Sequence, residues 1–205
     1  MGTNGTRDYI EAYLAKLVRT LWMVELNEVE AALEILSRVN AFGRKIFICG
    51  NGGSAATASH FACDLAKGTA GDGREPFKVI ALTDNVPLMT AWANDVDYSQ
   101  IFSMQLEPLV EEGDVVIGIS ASGDSMNVLR AVETGNLHGA VTLGLTGFQG
   151  GKLKDLASHS IHVASQNVQQ VEDIHMILVH LISSALRDLA CPLEREFLLS
   201  ADRDS

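Results

Sequence analysis

The stretch KIFICGNGGSA at residues 45–55 decides the fold, because an apolar run passes directly into a glycine-rich turn. Four more apolar runs follow, at residues 78–82, 115–119, 141–145 and 161–164, with helical patterns between them. Strands that are apolar on both faces need helices above and below, and their crossovers are right-handed almost without exception. The sequence therefore predicts an α/β protein with a doubly wound, five-stranded parallel sheet sandwiched by helices.

Helical periodicity also flanks the sheet region. Apolar residues recur at three- and four-residue spacing from Tyr9 to about Asn40 and again from about Val168 to Leu189. We assign residues 1–40 to an N-terminal helical extension of the same domain and residues 41–190 to the α/β domain. Residues 191–205 are predicted to be a tail of one short helical turn followed by frayed residues.

The composition limits the classes of partner. At 205 residues and 47% hydrophobic, the chain suits one large globular domain, and its net charge of -11 disfavours nucleic acids and membrane surfaces as partners. A small phosphorylated ligand is compatible, because a few backbone N–H groups suffice to bind it. Cys49, Cys63 and Cys191 follow neither a metal spacing nor a disulfide framework, and the N-terminus lacks a signal-peptide pattern. We expect a cytoplasmic protein with reduced thiols.

The first glycine-rich turn, GNGGSA at residues 50–55, can point its N–H groups at an anion beside a helix N-terminus. It also fits the dinucleotide fingerprint G-x-G-x-x-A, which brings an acidic residue roughly 20 positions later. Asp84, the candidate for that role, lies much farther along the chain. A tight turn without a ligand is a third interpretation.

A second loop, SASGDS at residues 120–125, follows the third predicted strand and precedes a helical pattern. Ser125 or Asp124 could be the N-cap of that helix, but one cap does not explain three hydroxyls in six residues. Serine hydroxyls with free backbone N–H groups form an anion site without lysine. This loop is therefore predicted to bind a phosphate monoester.

Four segments together resemble the phosphoheptose isomerases of the sugar isomerase (SIS) superfamily. They are GNGGSAATASHFACDL (50–65), ALTDN (81–85) with AWAND (91–95), GISASGDS (118–125) and VEDIHMILVH (171–180). The resemblance covers about residues 8–188. It implies a five-stranded SIS sandwich, usually a homotetramer with interfacial active sites, that converts sedoheptulose 7-phosphate into the manno-heptose 7-phosphate. Zinc is the divalent metal that it implies.

Carried over by position, the resemblance assigns site residues. The substrate-binding positions are Asn51, Gly52, Gly53, Ser54, Asp64, Asn94, Asp95, Ser120, Ala121, Ser122, Ser125 and Glu172. The metal positions are His60, Asp64, Glu172 and His180, and the catalytic positions are Asp64 and His180. Two residues depart from the pattern, because Asp64 stands where the family has a glutamate and Glu172 where it has a glutamine.

The spacing of these residues suits the chemistry. His60 and Asp64 are four positions apart and share one face of a helix, with an azimuthal difference of roughly 40°. Aldose–ketose isomerisation needs a base, an acid and a group that stabilises the enediolate charge. We assign the base role to Asp64, the acid role to His180 and the stabilising role to the metal.

Two other classes stay open from the sequence. The chain could be a non-catalytic SIS-fold regulator or adaptor, of the kind that assists replication initiation in bacteria, which would need no metal. It could also be a small dinucleotide-binding protein, although the acidic partner is misplaced. His60 alone could be a structural histidine, and His175, five residues before His180, is predicted to be structural or interfacial.

Overall fold

The computed structural model of the protein describes residues 3–70 and 75–189. In chain order the elements are α1 (Thr3–Leu21), α2 (Leu26–Ala41), β1 (Lys45–Gly50), α3 (Gly53–Cys63), a π-helical turn (Asp64–Gly68), β2 (Lys78–Ala81), α4 (Val86–Asp95), a 3₁₀ turn (Tyr98–Gln100), α5 (Ser103–Leu106), β3 (Val115–Ser120), α6 (Met126–Leu137), β4 (Val141–Thr146), α7 (Gly151–Leu156), β5 (His159–His162) and α8 (Val168–Asp188). The predicted tail at residues 191–205, with Cys191, lies outside the described residues.

The strands form one five-stranded parallel sheet in the order β2-β1-β3-β4-β5, which confirms the predicted fold class. Gly50 pairs with Ile119, and Ser120 pairs with Thr146, so the carboxyl ends of β1, β3 and β4 lie side by side. The loops that follow these three strands therefore share one edge of the sheet, where ligands of open α/β sheets bind.

Alternating strand residues build a core on each face of the sheet. In β1, Ile46 and Ile48 pack with the helices α2, α3 and α8 on one face. Phe47 and Cys49 pack on the other face with side chains of α5, α6 and α7. This two-sided burial is the physical reason that the sequence runs are continuously apolar rather than alternating.

Strand β5 begins earlier than predicted. The apolar run indicated residues 161–164, whereas the strand spans His159–His162. Because β5 is an edge strand whose first two residues are exposed or half-buried, polar side chains are compatible with that part of it. The apolar pattern therefore marked only the buried end of the strand.

Helices α1, α2 and α8 confirm the helical patterns at the two ends of the sequence. Within residues 3–70 and 75–189, none of the helices has the length and apolar character needed to cross a bilayer.

A π-helical turn interrupts the regular geometry after α3. The α-helix ends at Cys63, and the next residue, Asp64, begins a π-helical turn that ends at Gly68. The Thr69 hydroxyl donates to the Leu65 carbonyl at 2.6 Å and so satisfies one acceptor of this turn. Isolated π-helical turns are rare and occur frequently at functional sites.

Candidate active site

The serine loop, residues 120–125, connects β3 to α6. The Ser120 hydroxyl lies 3.1 Å from the Ser125 hydroxyl and 3.3 Å from the Ser122 hydroxyl, so the three side chains form one cluster. Ser125 holds the N-cap position of α6, but its side chain makes no capping hydrogen bond. The Ser125 hydroxyl therefore does not cap α6, whereas the Ser120 and Ser122 hydroxyls accept hydrogen bonds from the backbone N–H groups of Gly123 and Asp124 at 3.1 and 3.2 Å.

The first loop, residues 50–54, connects β1 to α3 and depends on its glycines. Gly52 has a φ of +54°, which favours glycine, and a Cβ atom on Gly50 would come within 2.6 Å of the Ser54 carbonyl oxygen. Asn51 exchanges two side-chain hydrogen bonds of 2.8 Å with Asn127, and its Oδ1 atom also accepts from the Tyr98 hydroxyl at 3.1 Å. The Asn51 side chain is thus fixed in place before any ligand binds.

Glu172 of α8 lies against the N-terminus of α3. A Cβ atom on Gly53 would overlap the Glu172 carboxylate, so only glycine allows this approach. A negative charge is favourable beside the first amides of a helix. The structure thus brings Glu172 to the first loop, and it is not a member of the histidine and aspartate cluster described below.

A cavity of about 210 Å³ lies between the two loops. Its polar lining consists of Asn51, Ser54, Ser120, Ser122, Ser125 and Glu172, and its apolar lining of Ile119, Ala121, Phe148 and Val168. None of these described lining residues is a lysine or an arginine. The cavity is smaller than the roughly 300–1,000 Å³ of typical ligand pockets, so it suits a phosphate group and the adjoining carbons.

His60, Asp64 and His180 form the second cluster of the site. The Nε2 atoms of His60 and His180 lie 2.8 Å apart, and their rings meet edge to face with an interplanar angle of 75°. The Asp64 carboxylate lies 3.4 Å from the His60 Nε2 atom and 4.0 Å from that of His180. One ligand atom from each residue falls within 4.8 Å of the other two.

This cluster depends on the local helical geometry. His60 lies in the last turn of α3 and Asp64 begins the π-helical turn, so the predicted i,i+4 pair does converge. His180 comes from α8, which packs against α3. Both histidines are exposed and Asp64 is half-buried, so the three side chains are open to a metal ion or substrate.

The predicted residues Asn94 and Asp95 lie elsewhere. They end α4, are exposed, and bond to each other, with the Asn94 amide donating to the Asp95 carboxylate at 2.8 Å. Neither residue lines the cavity or belongs to the cluster in this chain. The nearby Tyr98 is the residue that connects this segment to the first loop.

His175 is part of the core. It has no exposed surface, and its Nε2 atom lies 3.2 Å from the Thr146 carbonyl oxygen. Burial lowers the pKa of His175 to about 4, so the imidazole is neutral at neutral pH. This agrees with the structural role predicted from its position five residues before His180.

Sequence reasoning missed five residues of the site. Asn127 and Tyr98 position Asn51, while Ile119, Phe148 and Val168 line the cavity. Ile119 and Asn127 lie on either side of the serine loop in the sequence and could have been found by that proximity. The contacts of the other three depend on long-range packing, which no local pattern reveals.

Comparison with known proteins identifies the family of the chain. The family model for the SIS domain matches residues 8–147. A probable phosphoheptose isomerase of Thermoplasma acidophilum is 36% identical over 174 residues, which cover 85% of this chain and 95% of that protein.

Two solved structures are also similar to the fold. The phosphoheptose isomerase of Neisseria gonorrhoeae has a TM-score of 0.81 at 29% identity and covers 88% of this chain and 98% of its own. That of Francisella tularensis has a TM-score of 0.83 at 29% identity, covering 91% and 99%. With the family model matching most of the chain, the protein belongs to the phosphoheptose isomerase family of SIS-domain proteins.

Proposed function

We propose that this protein isomerises sedoheptulose 7-phosphate to D-glycero-D-manno-heptose 7-phosphate. The observation that carries the proposal is the convergence of His60, Asp64 and His180, from two helices, at one open position. The serine loop offers a separate position for a phosphate, and the first loop, which follows the neighbouring strand, lines the other side of the same cavity. The printed names of the relatives and the two similar structures support the same reaction.

The serine loop is the phosphate site of this proposal. Ser120, Ser122 and Ser125 present hydroxyls, and the N-terminus of α6 adds amides and a favourable dipole. These donors are neutral, so they can bind a small phosphate monoester although the protein as a whole carries a charge of -11. Asn51, Gly52, Gly53, Ser54 and Ala121 are further substrate-binding residues of the proposal.

Asp64 and His180 are the proposed base and acid. A carboxylate can remove the proton α to the sugar carbonyl, and an imidazole can deliver a proton to the neighbouring oxygen. Because the His180 Nε2 atom would bind the metal, the proton that this imidazole delivers is the one on its Nδ1 atom. The 4.0 Å between Nε2 and the Asp64 carboxylate keeps the two residues at one site. The proton would leave and return on neighbouring carbons of the chain, as aldose–ketose interconversion requires.

The donor set of the cluster fits a divalent metal, and we propose zinc. Two imidazole nitrogens and one carboxylate oxygen are a known ligand set of catalytic zinc, which keeps a fourth position open. Such an ion, when bound, would supply positive charge for the developing enediolate. His60, Asp64 and His180 would hold it, while Glu172, the fourth predicted ligand, lies beside Gly53.

The assay is turnover of sedoheptulose 7-phosphate by the purified protein, with and without a strong chelator. We expect turnover that the chelator abolishes and that added zinc restores. Absence of turnover in every condition would contradict the isomerase proposal. Binding of the sugar phosphate without turnover would instead support a regulator or adaptor.

A homotetramer with shared active sites and a cytoplasmic location are further parts of the proposal. Exposed apolar side chains on one face of α1, namely Ile10, Leu14 and Val18, support burial of this helix in an assembly. Light scattering of the purified protein tests the oligomeric state. A monomer at micromolar concentration would contradict it.

A further inference from the structure

Phe148, in the loop between β4 and α7, has an unusual backbone conformation. Among the described residues it is the one non-glycine residue with a positive φ, at +48°. This left-handed region is unfavourable for a bulky side chain and persists only where the surrounding structure imposes it. Residues held in this way concentrate at ligand sites.

Hydrogen bonds on both sides hold the backbone at Phe148. Its N–H donates to the Ser165 carbonyl at 3.0 Å, and the N–H of Gly147 donates to the Ala121 carbonyl at 3.0 Å. Gly147 cannot carry a side chain, because a Cβ atom there would come within 2.5 Å of Val171. The backbone position of Phe148 is thus set by the serine loop and by the segment before α8.

The rest of the loop is fitted closely to the serine loop. Gly150 and Gly151 have positive φ values and lie directly against Gly123, with no room for a Cβ atom on any of the three. The Leu153 N–H donates to the Gly123 carbonyl at 2.9 Å. The two loops therefore form one rigid unit, in which Phe148 has a fixed place relative to the serine hydroxyls.

The Phe148 side chain is half-buried and lines the cavity between the two loops. With Val168 it forms an apolar part of the lining, whereas the serine hydroxyls form the polar part. A free phosphate ion has no group that benefits from an apolar wall. A phosphate ester does, because its carbon chain carries C–H groups that pack favourably on an aromatic face.

We propose that Phe148 is a specificity-determining residue that contacts the carbon chain of the substrate next to the phosphate, and so favours a sugar phosphate over inorganic phosphate. This inference rests on the proposed function, because it takes the serine loop as the phosphate site. It predicts that the ring contributes to affinity for the ester and contributes little to affinity for the phosphate group itself.

The test compares Phe148→Gly, Phe148→Leu and the control Gln149→Ala, an exposed neighbour in the same loop. Calorimetry gives the Kd of sedoheptulose 7-phosphate and of inorganic phosphate, and a steady-state assay gives kcat and KM. Phe148→Gly keeps the backbone conformation accessible and should weaken sugar-phosphate binding about tenfold, with phosphate binding changed less than about twofold and kcat less than about threefold. The Kd of the sugar phosphate for Phe148→Leu should lie between those of the wild type and Phe148→Gly, and Gln149→Ala should match the wild type.

Two results would overturn the inference. One is an unchanged Kd for the sugar phosphate in Phe148→Gly, and the other is a parallel loss of affinity for both ligands, which would mean that Phe148 only maintains the loop. The proposed function fails separately, and this inference with it, if the wild-type protein does not bind the phosphate of either ligand. Phe148→Leu keeps the test decisive if Phe148→Gly unfolds at a lower temperature.

Discussion

The Nε2 atoms of His60 and His180 lie 2.8 Å apart although 120 residues separate them in the sequence. Packing of α8 against α3 creates this contact, and Asp64 adds a carboxylate to it. Two neutral imidazoles at this distance can share one proton between them, or both can turn their lone pairs toward one cation. If both lone pairs point toward one cation, each histidine should contribute to metal affinity.

His60→Ala should reduce zinc affinity at least about a hundredfold, because removing a direct ligand costs no less than removing the groups that orient ligands. Competition with a coloured chelator measures the affinity. The matched control is His138→Ala, since His138 is half-buried and pairs with Glu107 outside the cluster. Equal zinc affinity in the two variants would show that the imidazole pair does not bind the metal.

Asp64→Asn should lower kcat by about a thousandfold, since an amide cannot accept the proton that the proposed base removes. Calorimetric binding of sedoheptulose 7-phosphate separates this effect from loss of substrate affinity. Asp64→Glu introduces the residue that the family resemblance implies at this position and should retain kcat within about tenfold. The base assignment fails if Asp64→Asn turns over at a rate near that of Asp64→Glu.

The double substitution Ser120→Ala with Ser125→Ala should raise KM by about a hundredfold and leave kcat within a few-fold, because it removes two phosphate donors far from the reacting carbons. Ser160→Ala is the control. Its hydroxyl is buried without a hydrogen-bond partner, so its loss should be neutral. A double variant with wild-type KM would exclude the serine loop as the phosphate site.

His175→Gln should change how stability depends on pH. The pKa of His175 is about 4 in the folded protein and 6.5 when unperturbed, so the unfolded chain binds this proton more readily. The contribution of neutral His175 to the free energy of unfolding is complete above about pH 6.5. It is lost as the pH falls toward 4, by up to about 3 kcal/mol.

Urea unfolding of the wild type and His175→Gln at several pH values measures this contribution. The wild type should lose more stability than the variant between pH 6.5 and 4, and the two slopes should agree above pH 7. Parallel curves across the acid range would show that His175 does not titrate with an altered pKa.

The sequence predicted the sheet and the convergence of His60 with Asp64, because both follow from local periodicity and from helical spacing. It could not predict where Glu172 lies, since that depends on how closely α8 approaches the glycine at residue 53. The predicted bounds of β5 lay two residues too far along the chain for a different reason. Polar residues at an exposed sheet edge carry no apolar signal.

The missed residues also differ from the predicted ones in depending on long-range contacts rather than on a local sequence pattern. Tyr98 reaches Asn51 across 47 positions, and Asn127 reaches it across 76. Such contacts arise only when the ends of neighbouring strands meet. Backbone strain of the kind found at Phe148 has no sequence signature at all, because the surrounding loops impose it.

The approach of Glu172 to Gly53 makes the N-termini of α3 and α6, at this edge of the sheet, different in charge. The Glu172 carboxylate offsets the partial positive charge at the N-terminus of α3 and would repel the pyrophosphate of a dinucleotide. The N-terminus of α6 has no such carboxylate among the described residues of this cavity and can bind an anion from solution. An elongated molecule with one charged end therefore has a single favourable direction in which to lie. The orientation of such a molecule in the site is therefore set at the binding step, before the reaction begins.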